Sequence, residues 1–71
     1  MKYLVNKVNV DGRGVSVKET LEEAKKEWAS MYIEIYETTD EQLAEIRVTC
    51  NNDYDKCYNY LKENCKMIYK N

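Results

Sequence analysis

Histidine is absent from this 71-residue chain. Its absence removes every Ser-His-Asp or Cys-His arrangement within one chain, and with it the side chain that most often moves protons near neutral pH. The sequence therefore reads as a non-enzyme. Proline is also absent and glycine occurs only twice. With 34% charged residues, that scarcity argues against a low-complexity or disordered chain. No stretch approaches the ~20 apolar residues of a membrane span. Met1 to Val10 is interrupted by Asn6, Lys7 and Asn9 and holds no apolar segment of signal-peptide length. A cytoplasmic protein is expected.

Cysteine is scarce and odd in number: Cys50, Cys57 and Cys65, at spacings of seven and eight. A structural zinc site takes four Cys or His ligands in close pairs, so none is expected within one chain. On one helix Cys57 and Cys65 would stand ~12 Å apart, too far for a disulfide. Three reduced thiols in or near the core fit better than a secreted disulfide framework. Asp11-Gly12-Arg13-Gly14 has glycines but neither the length nor the Lys-Ser/Thr ending of a phosphate loop. No cofactor is expected.

What is present is an uneven distribution of charge. Residues 1–18 sum to +3, residues 19–45 to −7 with nine acids against Lys25 and Lys26, and residues 46–71 to +2. Glu34, Glu37, Asp40, Glu41 and Glu45 follow one another with no base between them. Such a block repels phosphate and attracts a basic surface.

One domain spanning 1–71 is expected, and a chain this short hides only about 60% of its unfolded surface, leaving a thin core. Lys2 to Val10 alternates as a strand, with Leu4, Val8 and Val10 on one face and Tyr3, Val5, Lys7 and Asn9 on the other. Ser16-Val17-Lys18-Glu19 has the S-x-x-E form of a capping box, while Asp11-Gly12 offers a secondary reading as a hairpin turn. Val17, Leu21, Ala24, Trp28 and Met31 fall within an arc of about 80°, predicting an amphipathic helix over 17–31 with Trp28 as its anchor.

Ile33 and Ile35, then Ala44, Ile46, Val48 and Cys50, alternate as two strands. An antiparallel register of Ile35 with Ile46 and Glu34 with Arg47 keeps the apolar sets together. A helix over Asp40–Arg47 competes with this, because Glu, Gln, Leu and Ala favour helix. Asn51-Asn52-Asp53 is a turn and cap before a second helix over 53–69, whose apolar face spans about 200°.

These elements predict an α+β domain of β-α-β-β-α order: a small two-layer structure with a three-stranded mixed sheet and both helices on one face. Leu4, Val8, Val10, Leu21, Ala24, Trp28, Ile33, Ile35, Ile46, Val48, Leu61 and Ile68 form the expected core. The other sheet face, bearing Tyr3, Lys7, Glu34, Tyr36 and Arg47, is expected to be open.

The function expected is protein binding, as an inhibitor or adaptor of a basic protein or nucleoprotein. Glu34, Glu37, Asp40, Glu41 and Glu45 would make the contact, with Tyr36 as an aromatic partner. Small acidic inhibitors of phages and mobile elements, which mimic nucleic-acid charge, act in this way. Two alternatives stand beside it. Lys56, Lys62, Lys66 and Lys70 on the second helix could follow phosphates, although the net charge of −2 opposes nucleic-acid binding. Tyr58, Tyr60, Met67 and Tyr69, on the flanks of its wide apolar face, could join two copies in a homodimer.

Overall fold

A computed structural model describes residues 1–26, 32–50 and 53–71. Trp28, Met31 and the Asn51-Asn52 part of the turn cluster lie outside the described residues. The elements are β1 (Lys2–Asn9), β2 (Gly12–Lys18), α1 (Leu21–Lys25), β3 (Tyr32–Thr38), α2 (Asp40–Cys50), α3 (Tyr54–Asn64) and β4 (Lys66–Lys70). The α+β class stands, but the sheet is four-stranded and antiparallel throughout, in the order β2-β1-β3-β4. It is neither three-stranded nor mixed.

The Asp-Gly hairpin forms, and the cap expected at Ser16 does not. Asn9 pairs with Gly12 and the ladder runs on to Tyr3 opposite Lys18, so Ser16 and Val17 lie in a strand. The helix start moves to Thr20, whose hydroxyl accepts from the Glu23 N–H at 3.1 Å. A Cβ at either glycine would meet nothing within 4 Å, but Gly12 has φ +146°, which a side chain rarely adopts, and Gly14 does not share that positive φ. Gly12→Ala is therefore expected to cost about 1–2 kcal/mol in urea unfolding, and Gly14→Ala little or nothing.

The largest correction concerns residues 40–50, which form a helix. Thr39 and Gln42 make a reciprocal box at its start: the Gln42 N–H donates to Thr39 Oγ1 at 3.1 Å, and the Thr39 N–H donates to Gln42 Oε1 at 3.0 Å. Leu43, Ile46 and Cys50 then fall at helical spacing and are buried, while Val48 is 83% exposed. The expected Ile35–Ile46 and Glu34–Arg47 pairings do not exist, because β3 is flanked by β1 and β4.

The second helix begins where expected, with the Asp53 carboxylate accepting from the Lys56 N–H at 3.2 Å. It ends at Asn64 rather than 69. The chain turns extended at Cys65, and β4 pairs with β3, with a register shift between Ile35 and Tyr36. That shift sets both Ile68 and Tyr69 against the Ile33–Ile35 side of the sheet.

Two apolar clusters follow from strand alternation. Leu4 and Tyr36 meet Leu43, Ile46, Cys50 and Leu61 of α2 and α3. On the opposite face Val5, Ile33 and Ile35 meet Ala24 of α1. The sheet and the α2–α3 pair are thus the two main layers, with short α1 on the other side; the two expected helices do not share a face. Leu4, Ala24, Ile33, Ile35, Ile46 and Leu61 are buried as expected. Val10, 86% exposed, and Val48 are not core residues, while Val5, Leu43 and Cys50 are.

Candidate functional site

Alternation along Tyr32-Ile33-Glu34-Ile35-Tyr36 sends Tyr32, Glu34 and Tyr36 to the face under α2 and α3. The expected open face is therefore wrong for Glu34 and Tyr36, which are 6% and 3% exposed. Asn6 stands opposite Glu34 on β1, and Lys70 opposite it on β4. Glu34 accepts from Tyr32 Oη at 2.6 Å, Asn6 Nδ2 at 3.1 Å and Tyr36 Oη at 3.2 Å. Tyr54 of α3 donates to Asn6 Oδ1 at 2.5 Å, which fixes the amide orientation.

Burial is the largest single influence on the Glu34 carboxyl and opposes its charge. The bonds from Tyr32, Asn6 and Tyr36 and the charge of Lys70 outweigh it, and the group is held below its ordinary range. Conversely, the bond to Glu34 pushes the Tyr32 phenol up to about 12. Burial, with the Glu34 charge, pushes Tyr36 up as well. Among the described residues no buried side-chain nitrogen or oxygen lacks a partner. The cluster is a polar hub that ties β1, β3 and α3 together.

Cations roof the outer tyrosines. Arg13 lies 4.9 Å from the Tyr54 ring centre, Lys62 4.4 Å from Tyr58 and Lys70 5.6 Å from Tyr32, and Tyr54 stacks on Tyr58 at 5.9 Å. The expected lysine stripe is thereby broken: Lys56 and Lys62 are on α3, Lys66 and Lys70 on a strand. The expected self-association set is scattered too. Tyr58 lies under Lys62, Tyr60 donates to Glu45 at 3.1 Å, Met67 is on the edge strand, and Tyr69 lies on the α1 side with Lys25 4.9 Å from its ring.

The three cysteines are free and gather around the α2–α3 cluster. Burial, with Cys50 beside it, pushes the Cys57 thiol up to about 11, and burial raises Cys65. Cys57 and Cys65 are thiols rather than thiolates at neutral pH. Among the described residues no group of three or more His, Cys, Asp or Glu side chains is placed to hold a metal ion. No helix described is long and apolar enough to cross a membrane.

Of the six residues expected to contact a partner, Glu34 and Tyr36 are interior and Glu37 is half-buried on the α1 face. Asp40, Glu41 and Glu45 are exposed on α2. Antiparallel order brings further acids to the same end of the molecule, where β1 and β4 begin and β2 and β3 finish. Glu19 lies there, paired with Lys2 at 2.5 Å, and exposed Glu22 and Glu23 open α1. Of the hub members that sequence reasoning missed, Asn6 and Tyr32 carried a weak signal each, an Asn inside an apolar strand and a Tyr-x-Glu-x-Tyr alternation, and Tyr54 carried none. The chain matches no protein-family model, no curated protein and no solved structure.

Proposed function

We propose that this chain is a non-enzymatic binding protein, an inhibitor or adaptor, that engages a basic protein or nucleoprotein through the acidic end of the sheet. The observation that carries this reading is the placement of Asp40, Glu41 and Glu45, exposed together on one helix whose start is capped by Thr39 and Gln42. Glu34 and Tyr36 leave the contact set because they hold the hub instead. Preformed negative charge speeds encounter with a basic surface and opposes phosphate.

Replacing Asp40, Glu41 and Glu45 together by lysine should weaken partner binding at least a hundredfold, while far-ultraviolet circular dichroism stays unchanged because all three are exposed. Affinity of the natural chain should fall as salt rises. A gel shift with mixed single- and double-stranded probes at low salt should show no complex. A shifted band abolished by Lys56→Glu and Lys62→Glu would transfer the function to nucleic acid.

A further inference from the structure

The edge strands of this sheet differ in how they are protected. β4 has five residues, a lysine at each end and a register shift against β3. Short length, lysines and irregular register all discourage further pairing. β2 has seven residues, no proline and an unbroken register with β1, and among the described residues no strand pairs with its outer side. Beside it, between β2 and α2, runs a groove of about 450 Å³. Leu4, Val15, Leu43 and Ile46 line it, and Val17, 43% exposed, belongs to its β2 wall.

Both arginines of the chain, Arg13 and Arg47, also line this groove. Arg47 is exposed and makes no ion pair among the described residues. Arg13 is 3.7 Å from Asp55 and keeps 60% of its side-chain surface open. Among the described residues that line the groove the one carboxylate, Asp53, is committed to capping α3.

We propose that this groove takes an extended acidic and apolar segment of a partner protein, added to the sheet as a fifth strand along β2. Main-chain bonds to the open edge would supply affinity, alternate apolar side chains would fill the space over Val15, Val17 and Ile46, and flanking carboxylates would meet Arg13 and Arg47. A second copy of this chain fits less well, since β2 brings Arg13 and Lys18 and no acid of its own. The inference stands apart from the acidic-end reading, because the groove is basic and lies on β2 and α2.

The test uses the full chain, isotope-labelled, and a synthetic peptide of alternating valine and serine with glutamates at both ends. Binding should saturate, move the amide resonances of Arg13–Val17 and Leu43–Cys50, and slow hydrogen exchange along β2. R47E should weaken binding at least tenfold and R47Q to a lesser degree; Val17→Lys should abolish it. A lysine-ended peptide, and one N-methylated at alternate residues, should not bind. No shift at millimolar peptide, or equal binding by either control peptide, overturns the proposal. So does the same set of shifts produced by raising protein concentration alone, which assigns the edge to a second copy.

Discussion

Replacing Glu34 by alanine is expected to lower stability by about 3 kcal/mol, because it strands the donors of Tyr32, Tyr36 and Asn6 under α2 and α3. A domain of this size holds about 4–10 kcal/mol in all, so the loss should bring the melting temperature down by about 12–24 °C. Glu34→Gln keeps an acceptor and should cost about 1–2 kcal/mol. The pH dependence distinguishes the charge from the shape. Since the folded state holds the Glu34 carboxyl below its ordinary 4.5, its contribution is present above that value. The contribution is lost as pH falls through the lower folded value. Natural protein should therefore lose stability on acidification below about pH 4.5 more steeply than Glu34→Gln. Equal slopes would show that the hub does not depend on the charge.

Leu61→Ala should cost about 3 kcal/mol, within the 2–5 kcal/mol range for a fully buried leucine. Leu61 is completely buried and joins α3 to Leu4, Tyr36, Leu43 and Ile46. The surroundings cannot collapse easily onto the gap, because the sheet below is pinned by the Glu34 hub and α2 is pinned to α3 by the Gln42 Nε2 bond to the Asn64 carbonyl at 2.9 Å. Val48→Ser supplies the contrast. In a strand beside Ile46, Val48 would be half of a buried face and its loss costly. On α2 it is exposed, and the change should stay within about 0.5 kcal/mol. Chemical denaturation of both variants reads helix against strand directly, and a large loss in Val48→Ser would contradict the helix.

The same pair of residues shows where the sequence was legible. Ala44, Ile46, Val48 and Cys50 alternate, but Leu43, Ile46 and Cys50 also recur at helical spacing, and short apolar patterns support either period. The Thr39–Gln42 box decided between them, and its T-x-x-Q form stood in the sequence. The first and third strands, the Asp-Gly hairpin and the Asp53 cap were readable because each depends on neighbours within a few residues. The end of α3 was not: the helical spacing of Leu61, Cys65 and Ile68 runs past Asn64, and the bonds that capture β4 come from β3, some thirty residues earlier.

Glu34 was the least legible residue of the candidate site. A glutamate between two isoleucines reads as solvent-facing unless its donors are known. Asn6 lies 28 positions away, and Tyr54 joins the hub by its bond to Asn6. By contrast Asp40, Glu41 and Glu45 are exposed under the hairpin and the helix readings alike, so the acidic surface survives the change of fold.

The most direct test of that surface is a side-by-side capture. Natural protein and the Asp40, Glu41 and Glu45 lysine variant are immobilised equally, exposed to lysate of the source at low salt, eluted with a salt gradient, and the eluates quantified by mass spectrometry. A near-stoichiometric basic protein or nucleoprotein is expected on the natural chain, released at moderate salt and missing from the variant. The same proteins in equal amounts on both, or free nucleic acid alone, would contradict it.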